Sequence, residues 1–338
     1  MPEEFTMKRF LQYIFILPPS VLIDENYGQV QDDNLVLERV DYKYSKIAQE
    51  CSSVTDVCYV VMDKKLDTEN GEIVERHMFV KGFETDSDTV VRLVPPQKEK
   101  TFENSDTRIW KVDHKTIRAQ YVSALVCAPF IVSTLSLVHE DNNDKSVLEI
   151  GLGGGSLDMF LHELNPNMKI TALEIDPVVV KLSKKWFDVV DDKQRKTVIS
   201  DGAKFIEKTA KKNEKFDVVI LDACDSSNEF PCPAKIFREP HIISKLSSIM
   251  TDNGVLVINM LSYNDNETDN SMKLFETLTE HFGSCLRMTV KEEINVIAIC
   301  THQYISDNSA SVEFLKKRAS AVTMNLGMQD NLNNIAFV

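Results

Sequence analysis

The glycine-rich stretch at residues 147–160, VLEIGLGGGSLDMF, constrains the fold more than any other part of the chain. An apolar run typical of a buried strand ends there in a cluster of glycines, Gly151, Gly153, Gly154 and Gly155, before an apolar stretch resumes. Glycine adopts positive φ without steric cost and lets a ligand touch the backbone. In an open parallel sheet, ligands bind beyond the carboxyl ends of strands, at the turn into the next helix. We therefore expect a strand, a ligand-binding turn and a helix, in that order.

Neither of two common nucleotide-binding motifs is complete here, although Gly151 and Gly153 fit the first half of the dinucleotide fingerprint. Read from Gly151, the dinucleotide fingerprint G-x-G-x-x-G requires its last glycine at the position of Ser156. No Lys-Ser or Lys-Thr pair follows the glycines, so a phosphate-binding P-loop is excluded as well. The turn alone leaves the identity of a nucleotide-like ligand open.

Strands and helices alternate from residue 146 onward, which implies a parallel sheet with helices on both faces. The predicted strands are SVLEIGL (146–152), KITALEID (169–176), KTVIS (196–200), FDVVILDA (216–223) and GVLVINML (254–261). The predicted helices are SLDMFLHEL (156–164), PVVVKLSKKWFDVV (177–190), GAKFIEKTAKK (202–212) and AKIFREPHIISKLSSIM (234–250). Two later runs, CLRMTVKEE and NVIAICTH, have no helix between them and should pair as a hairpin.

A region with a different spacing of apolar segments precedes this alternation of strands and helices. Between residues 54 and 112, the strand-like pieces DVCYVVMD, ERHMFVKGFE, DTVVRLV and TRIWKV are separated by polar turns, a spacing typical of an antiparallel meander. The segment 113–131 has a helical period with one apolar face, and Asp113 is expected to cap that helix. We therefore divide the chain into a strand-rich N-terminal region, residues 1–112, and an α/β domain, residues 113–338.

Composition restricts the expected partners and location. Lys and Arg total 38 against 52 Asp and Glu, a formal net charge of -14, which disfavours nucleic acid and anionic membrane as partners and favours a basic one. The apolar segment MKRFLQYIFIL (7–17) is too short to span a bilayer and lacks a cleavage site, so we expect a buried strand or helix in a cytoplasmic protein. The seven cysteines include no C-x-x-C pair, which favours reduced thiols over a zinc site or a disulfide framework. Cys224 and Cys232 are interpreted as packing residues.

Acidic residues stand at the ends of three successive predicted strands. Glu174 ends the second strand about 20 residues past the glycines, where a carboxylate can accept hydrogen bonds from ribose hydroxyls. Asp201 follows the third strand, in position to meet the amine edge of an adenine, and Asp222 follows the fourth. A single acid at a strand end is commonly only a helix N-cap. Acids at successive strand ends beside a glycine turn fit an adenosine ligand that carries no phosphates.

These motifs resemble the class I S-adenosylmethionine-dependent methyltransferases and, more specifically, their spermidine-synthase-like branch. The segments VLEIGLGGGSL, ALEIDP, DGAKFI, FDVVILDACDSS, CPAKIF and NGVLVIN carry the resemblance, in particular to the elongation factor 1-alpha lysine and N-terminal methyltransferases. The resemblance implies a Rossmann-like fold, S-adenosylmethionine as cofactor and a homodimer. The residues implied to bind the cofactor are Glu149, Gly151 and Gly153 at the methionine end, Glu174 at the ribose, Ile175 against the adenine, and Asp201 and Gly202 at the adenine edge.

Two features distinguish methyl transfer from aminopropyl transfer, the reaction of the polyamine synthases that share this fold. The resemblance implies an Asp directly after the three glycines of a synthase, where this chain has Ser156. The D-x-x-D pair that binds and deprotonates the attacking amine in the synthases is kept as Asp222 and Asp225. The resemblance therefore favours methylation of a nitrogen nucleophile, with Asp222 or, through water, Asp225 as general base. A polyamine aminopropyltransferase and a degenerate binding subunit are the alternatives left open.

The substrate that this resemblance implies is the N-terminal alpha-amine of elongation factor 1-alpha. The motifs match the family's C-terminal, N-terminus-modifying half, and the acidic net charge suits a basic protein. An alpha-amine has a pKa of about 7.7 to 8.0 against about 10.4 for lysine, so neutralising lysine at pH 7 costs roughly 3 kcal/mol more. A modest base such as Asp222 is therefore sufficient for an N-terminus.

Overall fold

The N-terminal strands form an antiparallel sheet, as their spacing predicts. The structure is a computed structural model that describes residues 44–69, 71–82, 87–227, 229–263, 270–290, 293–332 and 335–337. Within that part, five strands pair in chain order: β1 (Tyr44–Cys51), β2 (Cys58–Thr68), β3 (Gly71–Val80), β4 (Thr89–Val94) and β5 (Lys111–Val112). Every neighbouring pair is antiparallel, which confirms the meander. Strand β1 begins before the pieces that the sequence analysis recognised.

A larger sheet of eight strands, counted over the same described residues, contains the predicted parallel strands. They are β6 (Ser146–Ile150), β7 (Lys169–Glu174), β8 (Arg195–Ile199), β9 (Phe216–Leu221), β10 (Met250–Met260), β11 (Ser284–Val290), β12 (Val296–Thr301) and β13 (Ile335–Phe337). Their order is β13-β11-β12-β10-β9-β6-β7-β8. Strands β6 to β10 are parallel, and β11 to β13 extend the sheet in antiparallel pairs that include the expected hairpin of β11 and β12. Because β7 and β9 lie on opposite sides of β6, a topological switch point lies at the carboxyl end of β6.

Helices cover both faces of the larger sheet. They are α1 (Gln120–Ile131), α2 (Ser156–Leu164), α3 (Pro177–Trp186), α4 (Gly202–Lys211), α5 (Pro240–Ser248), α6 (Asn270–Thr279) and α7 (Ser309–Asn325). One apolar core joins the sheet to α1, α2 and α7, and a second joins it to α4, α5 and α6. Burial from both faces explains why the parallel strands are continuous apolar runs.

A third apolar core attaches the antiparallel sheet to the α/β region. Val61 of β2 and Met78 of β3 pack in this core with Leu182 of α3 and with Phe187, which follows α3. The described residues all belong to one compact unit. The packing brings the small sheet to the side of the larger one that carries α2 and α3.

Helix α1 begins later than predicted. The side chain of Asp113 accepts hydrogen bonds from the N–H of Lys115 at 3.0 Å and the hydroxyl of Thr116 at 2.8 Å, so it closes a turn and caps no helix. The helix starts at Gln120, after Ala119, which supplies no side-chain cap. Residues 122–131 are all buried, because the helix packs against the sheet, α2 and α7. The predicted single apolar face is therefore wrong.

The helix predicted over residues 234–250 is divided. A 3-10 turn covers Lys235–Arg238, and α5 begins at Pro240. Proline lacks an N–H and disfavours helical geometry in the preceding residue, which interrupts the helix at Glu239. At the other end, Met250 already belongs to β10.

The cysteines contradict the expectation of reduced thiols. In the described structure, disulfide bonds join Cys51 to Cys58, Cys224 to Cys232 and Cys285 to Cys300, and Cys127 is free and buried. The first and third bonds link residues that face each other across antiparallel strands. The interpretation of Cys224 and Cys232 as packing residues is wrong for the same reason. Strand register and loop closure create these pairs, so spacing along the chain did not reveal them.

The apolar segment at 7–17 lies outside the described residues. Among the helices that the structure describes, none has the length and apolar character needed to cross a bilayer.

Candidate active site

The glycine turn lies at the carboxyl end of β6, at the topological switch point. Gly151, Gly153 and Gly155 have φ of 102°, 52° and 73°, which confirms that the turn needs residues tolerant of positive φ. A Cβ atom on Gly151 would collide with the carbonyl oxygen of Asp222. Gly151 therefore allows the end of β9 to approach the turn, and this places Asp222 beside it.

Thr89 of β4 supports the turn from the antiparallel sheet. The buried N–H of Gly154 donates to Thr89 Oγ1 at 2.8 Å. A Cβ on Gly153 would lie 2.9 Å from the same oxygen, and a Cβ on Gly154 would lie 2.5 Å from Thr89 Cγ2. These two glycines thus make room for Thr89. Thr89 was not predicted from the sequence, because 65 positions separate it from Gly154 and no motif marks it.

Glu174 links the end of β7 to the same turn. One carboxylate oxygen accepts from the N–H of Asp176 at 2.9 Å, and the other accepts from the N–H of Leu152 at 3.3 Å. Burial raises the pKa of Glu174, and these backbone donors oppose the shift because they stabilise the charged form. A carboxylate oxygen has a second lone pair, so ribose hydroxyls can still be accepted. Ile175, the next residue, is 52% exposed and offers an apolar surface to a planar ring.

Glu149 of β6 is a buried acid with an unpaired oxygen. It is 2% exposed, and its Oε2 atom has no hydrogen-bond partner among the described residues. Burial raises the pKa of Glu149 well above its ordinary value, and the neighbouring charge of Asp158 adds to this. The Arg195 guanidinium, which lowers the pKa of Glu149, is itself paired with Asp158, with Nε 2.6 Å from the carboxylate. A buried carboxyl oxygen without a partner costs free energy, so Glu149 is suited to receive the ammonium group of a ligand.

Asp201 is the N-cap of α4. Its Oδ1 atom accepts from the N–H groups of Ala203 at 3.0 Å and Lys204 at 3.2 Å, so a helix cap explains this acid without any ligand. Its Oδ2 atom lies 3.6 Å from the Lys204 ammonium. A Cβ on Gly202 would lie 2.8 Å from Ile150 Cγ2, so this glycine permits close packing of α4 on β6. Contact of Asp201 and Gly202 with an adenine edge stays a prediction.

Asp222 directly follows β9 and lies against the glycine turn. Its backbone N–H donates to the carbonyl of Ile150 at 2.9 Å. The side chain is half-buried, and Oδ1 accepts from Nδ2 of Asn259 at 2.8 Å. Burial raises the pKa of Asp222 to about 6, an effect that the Asn259 hydrogen bond partly offsets. A carboxylate whose pKa is nearer to neutrality is a better general base at physiological pH than an ordinary one.

Asp225 organises the loop that follows β9. Its Oδ1 atom accepts from the N–H of Ser227 at 2.9 Å, and its Oδ2 atom accepts from the N–H of Lys235 at 2.6 Å. The disulfide between Cys224 and Cys232 closes the same loop. These contacts indicate that Asp225 holds the loop in shape, while its action as a base through water stays a prediction.

Two buried asparagines are linked to Asp222 by hydrogen bonds. Asn259 of β10 is 3% exposed, and Asn295, just before β12, is 8% exposed. Nδ2 of Asn295 donates to Oδ1 of Asn259 at 2.7 Å. Neither residue was predicted from the sequence. A polar residue inside the apolar run VLVINML was an available signal for Asn259, because buried amides need hydrogen-bond partners.

The residues at this edge of the sheet fit S-adenosylmethionine. The unpaired Oε2 of Glu149 suits an ammonium group, Glu174 suits hydroxyl donors, and the exposed face of Ile175 suits an adenine. Glu149 lies on β6, Glu174 ends β7 and Ile175 follows it, and the glycine turn lies between the two strands along the chain. Such a combination of an apolar surface and a few convergent polar groups is typical of cofactor sites.

Comparison with known proteins agrees with this description. Residues 131–315 match the spermine/spermidine synthase domain. The eEF1A lysine and N-terminal methyltransferase of Xenopus laevis is 30% identical over 195 residues, which cover 57% of this chain and 27% of that protein. The chain thus spans about a quarter of the length of that curated relative.

Solved structures share the fold. Human methyltransferase-like protein 13 in complex with SAH has a TM-score of 0.53 and 24% identity, covering 62% of this chain and 93% of that chain. A probable spermidine synthase from Corynebacterium glutamicum has a TM-score of 0.56 and 13% identity, covering 83% of this chain and 93% of that chain. The likeness at these identities concerns the fold alone.

Proposed function

The chain belongs to the spermine/spermidine synthase domain family, and we propose that it is an S-adenosylmethionine-dependent methyltransferase acting on the N-terminal alpha-amine of eEF1A. The name of the Xenopus laevis relative supports both the reaction and the substrate. Ser156, at the start of α2, supports methyl transfer over aminopropyl transfer, because it offers no carboxylate to bind a polyamine.

The observation that carries the proposal is the position of Asp222 beside the glycine turn, with its pKa raised to about 6. Its Oδ1 atom is bonded to Asn259, which leaves Oδ2 to face an incoming amine. S-adenosylmethionine, when bound, supplies a methyl group activated by a positively charged sulfur. The bound cofactor would supply this methyl group to the substrate nitrogen and would leave as the neutral thioether, and Oδ2 of Asp222 would accept the proton that the nitrogen loses.

The residues that would hold the cofactor are those at the ends of β6, β7 and β8. Glu149 would receive the ammonium group, Glu174 would accept the ribose hydroxyls, and Ile175 would cover one face of the adenine. The turn at Gly151 and Gly153, together with Asp201 and Gly202, completes this list.

The choice of an N-terminal amine follows from the strength of the base. An alpha-amine has a pKa of about 7.7 to 8.0, so a substantial fraction is neutral at pH 7 and a base of pKa about 6 suffices. A lysine, with a pKa of about 10.4, requires roughly 3 kcal/mol more for neutralisation. The net charge of -14 favours a basic protein as the carrier of that N-terminus.

Methyl transfer to synthetic peptides tests this function. A peptide that copies the start of eEF1A should accept labelled methyl groups, and the same peptide with an acetylated N-terminus should not, even though its lysines are free. Labelling of the acetylated peptide would contradict N-terminal specificity. Transfer from decarboxylated S-adenosylmethionine to a diamine, with no transfer to peptide, would establish the aminopropyltransferase alternative instead.

A further inference from the structure

Two consecutive hydrogen bonds connect Asn295 to Asn259 and Asn259 to Asp222. Asn295 donates to Asn259 at 2.7 Å, and Asn259 donates to Asp222 Oδ1 at 2.8 Å. The three residues come from different places in the fold: Asn295 precedes β12, Asn259 lies in β10, and Asp222 follows β9. Asn295 and Asn259 are almost fully buried, so water is a poor substitute for either partner.

The direction of these two hydrogen bonds follows from which groups can donate and which can only accept. An ionised carboxylate can only accept hydrogen bonds, so Asn259 must turn its NH₂ group toward Asp222. The carbonyl oxygen of Asn259 then faces Asn295, which must donate through its own NH₂ group. Asn295 therefore stabilises the orientation in which the NH₂ group of the Asn259 amide faces Asp222, although it does not touch Asp222 itself.

We propose that Asn295 is a positioning residue of the active site, which acts through Asn259 to keep the Asp222 carboxylate ionised and oriented to accept a proton from the substrate amine. This inference rests on the proposed function, in which Asp222 is the general base. If the Asn259 amide turned over, its carbonyl oxygen would face Asp222 and would favour the protonated carboxyl group, which cannot act as a base.

The charged and polar groups around Asp222 determine how strongly the hydrogen bond from Asn259 affects the protonation of this carboxyl group. Glu149 faces it from β6, and the pKa of Glu149 is raised in part by the charge of Asp222. From β10 the facing group is the uncharged Asn259, and on its own loop Asp225 is bonded to the backbone at Ser227 and Lys235. Burial favours a protonated Asp222, and the hydrogen bond from Asn259 is the contact that opposes it.

The test measures the proton affinity of Asp222 without using substrate. The free energy of unfolding in urea is determined from pH 4 to pH 8 for the full chain and for Asp222→Asn, and the difference isolates the contribution of this carboxyl group. Because the native pKa lies above the unfolded one, native Asp222 binds its proton more tightly. The contribution is therefore largest below the unfolded pKa of about 3.9 and declines with rising pH until it levels off above the native pKa, about 6.

The same pair of measurements is then made in an Asn295→Leu background. We expect the pH at which the difference levels off to rise by about half a unit to one unit, and by about one unit or more with Asn259→Leu, as for loss of a hydrogen bond to a charged group. Asn142→Leu is the matched control, since Asn142 is also buried, its side chain bonds only to the Ser136 backbone among the described residues, and it precedes the amino end of β6. It should lower stability without moving this pH.

An unchanged pH in Asn295→Leu would overturn the proposal, because a merely structural asparagine lowers stability equally at every pH. If Asn295→Leu does not fold, Asn295→Ala provides the same comparison with a smaller side chain. A shifted titration in a protein that methylates no peptide would refute the proposed function and leave the hydrogen-bond chain standing. An unshifted titration in an active methyltransferase would refute only the role of Asn295.

Discussion

At the scale of single residues, Asp222 gains basicity from the same burial that costs stability. Its pKa is raised to about 6, so the native state binds a proton more tightly than the unfolded state does. The chain therefore loses stability from this group as the pH rises through that range. Such a conflict is common where a carboxyl group is kept for its chemistry.

Replacing Asp222 by Asn should separate these two effects. Turnover should fall by about 10²-fold or more, the range of lost general-base catalysis, while the free energy of unfolding at pH 7 should stay equal or rise because no charge is buried. Affinity for the cofactor, measured by calorimetry, should change little. Turnover close to that of the parent at saturating substrate would show that another group neutralises the amine.

The pH dependence of kcat/KM should report the same carboxyl group. If Asp222 is the proposed general base, it must be deprotonated to act, so activity should fall as the pH is lowered through about 6. The substrate amine adds its own dependence near pH 8, and the Asp222→Asn variant should retain that part while losing the one near 6. Initial rates between pH 5 and 9 for both proteins test this, and an unchanged acidic limb in the variant would argue against the assignment.

The helix-capping role of Asp201 and the role of its negative charge can be tested separately, because different substitutions remove them. Asp201→Asn keeps a good N-cap, whereas Asp201→Ala removes it and should cost about 1 kcal/mol of stability. If Asp201 also binds adenine through a charge-assisted hydrogen bond, both variants should weaken cofactor binding by roughly 1 to 3 kcal/mol. Equal cofactor affinity in Asp201→Asn and the parent would leave this residue with the helix cap alone.

At the scale of elements, the glycine turn is shaped by a strand from the other sheet. Thr89 of β4 satisfies the buried N–H of Gly154, and Gly153 and Gly154 are compatible with that approach because they lack a Cβ. The antiparallel sheet is thus part of the support of the candidate cofactor site. A substitution that destabilises β4 should therefore disturb the conformation of the glycine turn as well as the antiparallel sheet.

Thr89→Val retains the shape of the side chain and removes its hydroxyl. The buried N–H of Gly154 would lose its acceptor, so the free energy of unfolding should fall by about 1 to 3 kcal/mol, and the cofactor Kd should rise. Thr89→Ser, which keeps the hydroxyl, is the matched control and should bind the cofactor more nearly as the parent does. Urea unfolding and calorimetry of the three proteins give the result, and equal stability of Val and parent would contradict it.

At the scale of the whole molecule, the excess of acidic residues is expected to affect how fast a substrate protein associates. A net charge of -14 creates a negative potential that attracts a basic protein and is screened by salt. Under the proposed function, the net charge should have little influence on the chemistry once the substrate N-terminus is bound. The charge and the base therefore affect different kinetic constants.

Raising the ionic strength should accordingly lower kcat/KM for a basic protein substrate and leave kcat nearly constant. Screening becomes strong once the Debye length falls to about 8 Å, near 0.15 M salt. A short peptide with the same N-terminus and no net charge serves as the control, since its kcat/KM should depend little on salt. Equal salt dependence for both substrates would mean that the overall charge does not guide binding.

The sequence by itself determined the features that depend on neighbouring positions along the chain. Continuous apolar runs predicted the parallel strands, and the boundaries of α2 are those that its segment indicated. Parallel strands end at one edge of the sheet, so the order of Glu174, Asp201 and Asp222 along the chain already placed them there. The positive φ of the turn followed from the glycines themselves, because no other residue adopts that geometry as readily.

Only the tertiary structure decided the contacts between distant segments. Thr89 meets the turn, Asn295 meets Asn259, and the cysteines pair, because strand register and the packing of two sheets bring these residues together. Their signals are single polar or thiol side chains, which local periodicity cannot distinguish from others of their kind. The same limit explains Asp113, whose side chain could cap a helix or close a turn with equal local support, until packing started α1 at Gln120.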